Sequence, residues 1–125
     1  MTNRETIIQN YVDGYNQFDI DKMVRDFDLG IVFENIQNGE VTMSLSGLPS
    51  FRAQAQKAKG YFSTRRQTIK SFQHSTDQTE IEVEYHAVTA MDFPNGLKKG
   101  HHLDLLGKSI FHFSGDKIVK LTDIS

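Results

Sequence analysis

Residues 96–125 read GLKKGHHLDLLGKSIFHFSGDKIVKLTDIS. Two apolar runs, Leu103–Phe113 and Ile118–Ile124, flank the short connection Ser114-Gly115-Asp116-Lys117. Gly and Asp at such a connection supply the backbone conformations of a tight turn, so the stretch predicts a long β-hairpin. Leu121 and Ile124 keep its last strand apolar to the end, which predicts a central strand rather than a frayed edge. Any pocket is expected to have this hairpin as its floor.

Ahead of the hairpin, Thr2 or Asn3 is expected to cap a first helix, on which Ile7, Ile8, Tyr11, Val12, Tyr15 and Phe18 recur at helical spacing. Gln17-Phe18-Asp19 breaks that pattern, and Asp19 caps a second helix predicted over Ile20–Phe27, with Met23, Val24 and Phe27 buried and Leu29-Gly30 ending it. Ile31–Ile36 and Val41–Ser46 read as strands around Asn38-Gly39, a strong hairpin signal. Gly47-Leu48-Pro49 opens a third helix with Phe51, Ala55, Ala58 and Tyr61 or Phe62 on its core face. Thr64–Ser75 is a strand, followed by a turn at Thr76-Asp77-Gln78.

Thr79–Met91 alternates. Ile81, Val83, Tyr85, Ala87, Thr89 and Met91 face one way, and Glu80, Glu82, Glu84 and His86 face the other, as in an antiparallel strand with one wet face. Asp92–Gly96 carries Pro and Asn-Gly turn chemistry. Helices segregated from a run of long antiparallel strands mean α+β, with helices packed on a curved sheet. Such a sheet makes a cone whose interior can hold a small ligand.

The 125 residues fit one domain, 1–125, large enough to build a core without metal or disulfide. There is no cysteine, so no disulfide or thiolate site is available. A net charge of −2 with both signs dispersed lacks the basic stripe that nucleic acid requires. No apolar run approaches the roughly 20 residues of a membrane span, and the first ten residues have no signal-peptide segment, so a cytoplasmic location is the default expectation.

The segments YVDGYNQFDIDKMVRDFDLGIVFEN and GKSIFHFSGDKIVKLTD resemble the opening helices and strand, and the closing hairpin, of the nuclear transport factor 2-like (NTF2-like) superfamily. That superfamily includes SnoaL-like polyketide cyclases and ketosteroid isomerase. The resemblance implies a cystatin-like cone of three helices on a strongly curved mixed or antiparallel sheet. The fold hosts both enzymes and binding modules, so function must be read from the site.

Set against ketosteroid isomerase, Tyr11 falls at the donor tyrosine, Asn35 at the base carboxylate and Ser109 at the protonated aspartate. An amide cannot accept a proton at neutral pH, so isomerase chemistry at that base position is rejected. The SnoaL-like cyclases instead carry an acidic residue on the last strand, where Asp123 stands. A three-residue turn would pair Gly107 with Asp123, Ser109 with Leu121 and Phe111 with Val119, facing inward. Ser114 opposite Lys117 would instead pair Lys108 with Asp123 as an ordinary cross-strand ion pair. The first alternative makes Asp123 an inward base with a pKa raised by burial.

The candidate catalytic residues are therefore Asp123 and Tyr11, and the candidate ligand-binding residues are Tyr15, Asn35, Tyr85, Ser109, Phe111 and Leu121. The tyrosines also read as core aromatics whose hydroxyls find partners. One of Arg65 and Arg66 is expected either to reach an anionic ligand at the mouth or to be a solvated strand end. Consecutive His101 and His102 point to opposite faces, and no histidine pair has helical i, i+4 spacing, so no metal or other cofactor is expected. His86, His102, His112 and Ile110 are expected on the outer face with Glu82 and Glu84, and the resemblance implies a homodimer through that face. Two functions stay open: a cofactor-free isomerase, cyclase or lyase abstracting a proton from a small, partly apolar carbonyl compound, or a non-catalytic ligand-binding or interaction module.

Overall fold

The computed structural model describes residues 3–125, so the expected Thr2 cap lies outside the described residues. Helix α1 runs Asn3–Asn16 and buries Ile7, Ile8, Tyr11 and Val12 along one side, at the spacing the sequence requires. Phe18 falls beyond its end, in the left-handed region at φ 57°. Asp19 then caps α2, Ile20–Val24, by accepting a hydrogen bond from the Lys22 amide at 3.1 Å. The two helices pack at Gly14, where an added Cβ would stand 2.7 Å from the Met23 nitrogen.

Helix α2 is shorter than expected. Phe27 opens a strand, β1 (Phe27–Gln37), and pairs with Ile118, while the Ile118 amide donates to the Asp26 carbonyl at 2.8 Å. The Phe27 ring has better partners there than a helix end offers, stacked on Tyr11 at 5.6 Å and edge-on to Phe51 at 4.9 Å. Leu29-Gly30 lies within β1, in the stretch between Phe27 and Val32 where the pairing is interrupted.

Strand β2 (Glu40–Ser46) returns through Asn38-Gly39, both at positive φ. Gly47, at φ 90°, leads into α3 (Leu48–Ala58) with Pro49 in its first turn. Phe51 and Ala55 are its buried residues, and burying an aromatic side chain of this kind contributes roughly 1.5–3 kcal/mol. A 3-10 turn, Lys59–Tyr61, leads to β3 (Phe62–His74), and β4 (Gln78–Thr89), β5 (His102–Ser114) and β6 (Lys117–Ile124) follow. Thr89 ends β4 early because its hydroxyl donates to the Lys98 carbonyl at 2.7 Å and accepts from the His101 amide at 2.9 Å, anchoring the loop to β5. Met91 therefore stands exposed rather than in the strand.

The six strands form one mixed sheet in the order β2-β1-β6-β5-β4-β3. The C-terminal strand is central, parallel to β1 and antiparallel to β5. Met43 and Leu45 of β2 and Gln67 of β3, from opposite edges, line one cavity, so the sheet is curled, and its two edge strands leave it open. Ile8, Ile31, Ile81, Phe111, Ile118 and Leu121 form the innermost core between the helices and the sheet. Among the described residues, no helix is long and apolar enough to cross a membrane.

The β5–β6 register follows neither expected alternative. It starts with Ser114 opposite Lys117 and Phe113 opposite Ile118, but then a bulge leaves Val119 unpaired and sets His112 opposite Lys120. One extra residue shifts everything beyond it. Phe111 therefore pairs with Leu121, Ser109 with Asp123 and Lys108 with Ile124.

Candidate functional site

The curled sheet, α1 and α3 enclose a cavity of about 480 Å³. Asp123 is in its wall, partly buried, on the face of β6 that the bulge turns inward. Ser109 Oγ donates to Asp123 Oδ1 at 2.7 Å. Burial pushes the Asp123 carboxyl up to about 6 from an ordinary 3.8, and the Ser109 hydrogen bond pulls the other way. Lys108 does not pair with Asp123 but lies 3.9 Å from Glu80. Asn35 of β1 stands opposite Asp123 on its other side and donates to Thr42 Oγ1 at 2.9 Å, and both Asn35 and Thr42 line the cavity.

Helix α1 places two phenols along the same cavity. Tyr11, buried between Phe27 and the edge of Phe111, has a hydroxyl that makes no hydrogen bond among the described residues. Its pKa is pushed well up, first by burial and then by the Asp123 carboxylate, with Arg65 acting in the opposite sense. Tyr11 thus stays a neutral donor at any working pH. One turn on, the Tyr15 and Tyr85 hydroxyls are 2.9 Å apart, joining α1 to β4. Burial raises both of these phenols as well.

Arg65 lines the cavity too, where the sequence leaves open whether one of Arg65 and Arg66 reaches a ligand at the mouth or is a solvated strand end. It is 5 % exposed, whereas Arg66 is exposed. Its Nε donates to the Tyr15 carbonyl at 2.9 Å, and its guanidinium carbon is 3.8 Å from the Tyr15 ring centre and 4.4 Å from that of Phe18. The contacts come from residues some fifty positions away, which no local pattern reveals. Phe33, Phe51, Met43 and Leu105 make much of the remaining lining apolar.

Two expected ligand contacts are corrected. Phe111 and Leu121 stand two residue pairs below Ser109 and Asp123 in the register, on the same face and fully buried at 0 % exposure in the core beneath the cavity. Tyr11, Tyr15, Asn35, Tyr85, Ser109 and Asp123 all line the cavity. His86 and His102 are exposed, His112 is partly buried, and His86 pairs with Asp104 across the sheet. Among the described residues, no three histidine or carboxylate side chains are grouped to hold a metal ion.

The arrangement suits proton transfer at carbon. A carboxyl near 6 is ionised at neutral pH yet basic enough to take a proton from a carbon acid beside a carbonyl. The charge that then develops on the carbonyl oxygen needs donors fixed in advance, and neutral phenols in an apolar wall serve that purpose.

The cone has many structural relatives. An uncharacterised cystatin-fold protein of Novosphingobium aromaticivorans is 19% identical, with a TM-score of 0.74 over 100% of this chain and 99% of its own. A provisionally named polyketide cyclase of Xanthomonas campestris pv. campestris is 18% identical, with a TM-score of 0.76 over 99% and 93%. TerC, crystallised with polyporic acid, is 10% identical, with a TM-score of 0.80 over 98% and 91%. At such identities the likeness shows the fold. The sequence has no match among curated proteins. The family of SnoaL-like domains matches residues 8–121, nearly the whole cone from the first turns of α1 to the heart of β6. The chain belongs to that family of SnoaL-like domains.

Proposed function

We propose that the cavity binds a small, partly apolar carbonyl compound and that Asp123 removes a proton from the carbon beside the carbonyl. The C–H proton passes to the Asp123 carboxylate, the bonding pair moves into the enolate, and the Tyr11 hydroxyl donates to the enolate oxygen. Returning the proton to another carbon completes an isomerisation, and attack of the enolate carbon on a second carbonyl, with the proton on Asp123 passing to the alkoxide so formed, completes a cyclisation. Asn35, Ser109, Tyr15 and Tyr85 orient the base and the ligand. The observation that carries this reading is a Ser109-bonded carboxyl raised to about 6 in the wall of an otherwise largely apolar cavity.

The test uses aryl ketones and lactones in a thermal-shift screen of wild type and Asp123→Asn, followed by deuterium exchange at the carbon beside the carbonyl in D₂O. Ligands that bind the folded chain raise its melting temperature by mass action. The reading expects exchange with wild type and none above background with the variant. Equal exchange by both proteins would remove Asp123 from the chemistry.

We propose further that two copies pair through the outer face of the sheet, as the family resemblance implies. That face carries Ile110 among the Lys108–Glu80, Lys70–Glu84 and His86–Asp104 cross-strand pairs. Sedimentation at pH 7.5 should give twice the chain mass, with weaker association at pH 5 as the histidines gain charge. A monomer at both values contradicts it.

A further inference from the structure

Among the described residues, Arg65 is a buried cation without a counter-ion. It is 5 % exposed, and none of the ion pairs among the described residues includes it. Its Nε is satisfied by the Tyr15 carbonyl, but Nη2 is buried with no acceptor among the described residues. The rings of Tyr15 and Phe18 pack against the guanidinium carbon, which stabilises the charge without satisfying its N–H groups. A buried charge held in this way is costly unless something pairs with it.

The residue belongs to the cavity wall, so the missing acceptor can be supplied by what enters the cavity. We infer that Arg65 is an anion-recognition residue and that the ligand is a carboxylic acid with an apolar body. The inference rests on the ligand-site reading above and adds the substrate class to it. A guanidinium presents N–H groups in a fixed fork that matches a carboxylate, and a neutral ester or ketone leaves the charge uncompensated.

The placement also orients the ligand. Arg65 is on β3 and Asp123 on β6, three strands apart, roughly 14 Å across the strands, and the register sets them six residues apart along β5, level with Leu103 and Ser109 respectively. The Tyr15–Tyr85 hydroxyl pair lies between, close enough to Arg65 for its charge to act on both phenols. The ligand's carboxylate thus occupies the β3 end and its activated carbon the β6 end, with the apolar body along the tyrosines. The two negative groups, ligand carboxylate and Asp123, stay at opposite ends. Lys108 also lines the cavity, but it is half exposed and directed to Glu80, so it does not substitute for Arg65.

The test compares 2-naphthoate with methyl 2-naphthoate by calorimetry at pH 7.5. Wild type should bind the acid roughly ten- to a hundredfold more tightly than the ester, the worth of one charge-assisted hydrogen-bonded pair. Arg65→Gln should bind the ester as wild type does and lose the preference for the acid, and Arg65→Lys should keep part of it. If Arg65→Gln fails to fold, the Arg65 Nε–H resonance of wild type decides: it should move with the acid and stay with the ester. Equal affinity of wild type for acid and ester, a preference that survives in Arg65→Gln, or an unmoved resonance overturns the inference while leaving the site reading intact. Binding of neither compound to wild type overturns both.

Discussion

Ser109 donates its hydroxyl proton to Asp123 Oδ1 across the β5–β6 pair at 2.7 Å, and the two residues face each other only because Val119 is bulged out of the ladder. The bond favours the ionised carboxyl, and burial opposes it more strongly. The result is an acid group poised near 6, held by a rigid strand pair rather than by a loop. Removing the donor should tilt that balance. In Ser109→Ala the Asp123 titration moves further up, because the carboxylate loses its hydrogen bond and keeps its desolvation. A carbon-detected NMR titration of the variant reads the direction, and a downward move contradicts the assignment.

Replacing Asp123 changes stability in a pH-dependent way. The folded carboxyl ionises near 6 and the free one near 3.8. Between those values the folded chain holds a proton that the unfolded chain has lost, so stability falls as pH rises through the window. Asp123→Asn cannot ionise, and its amide oxygen still accepts from Ser109. The variant should be more stable than wild type at pH 8, by up to about 3 kcal/mol, less whatever solvation the cavity water gives the carboxylate. The difference should shrink to well under about 1 kcal/mol at pH 4 and vanish below about pH 3. Urea unfolding at pH 4 and 8 measures it, and a less stable variant at pH 8 refutes the strained carboxyl.

The Tyr15–Tyr85 hydroxyl pair couples α1 to β4. Tyr85→Phe leaves the Tyr15 hydroxyl without that partner and should cost about 1 kcal/mol. Tyr15→Phe should cost a similar amount, and the double variant less than the two together, since the bond is lost only once. Thermal unfolding of the three variants closes the cycle. Strict additivity would mean that the two hydroxyls do not interact.

Gly14 sets how closely α1 and α2 pack. Alanine is the better helix former by about 1 kcal/mol. Its Cβ would meet the Met23 nitrogen at 2.7 Å and the Asp19 carbonyl oxygen at 3.1 Å, both of them backbone atoms that cannot swing aside. Overpacking of this sort costs about 1–3 kcal/mol, so Gly14→Ala should destabilise the fold despite its propensity. A raised melting temperature would show that the helices are free to separate.

Local pattern carried most of the fold. The apolar face Ile7, Ile8, Tyr11, Val12, the Asn38-Gly39 turn, the alternation of β4 and the central place of β6 all follow from spacing that neighbours in the chain determine. What escaped depends on distant partners. Phe27 reads as a helix residue until Tyr11, Phe51 and Ile118 offer it a strand position. Val119 looks like any strand valine, and its bulge decides whether Asp123 meets Gly107, Lys108 or Ser109. Asp123 and Tyr11 stood out as candidates because the family resemblance places an acid and a donor tyrosine at those positions, whereas Phe111 and Leu121 failed as ligand contacts because core and cavity walls use the same apolar side chains. Arg65 sits in an Arg-Arg pair typical of a solvated strand start, and only the folded chain brings Tyr15 and Phe18 over it.

The proposed base, Asp123, would be tuned by its setting, and its own titration tests that most directly. Carbon-13 NMR of the Asp123 carboxyl in ligand-free wild type, followed from pH 3 to 9, should give a midpoint near 6. A midpoint at the ordinary 3.8 would mean that the cavity leaves the carboxyl as water does, and the proposed proton abstraction would lose its base.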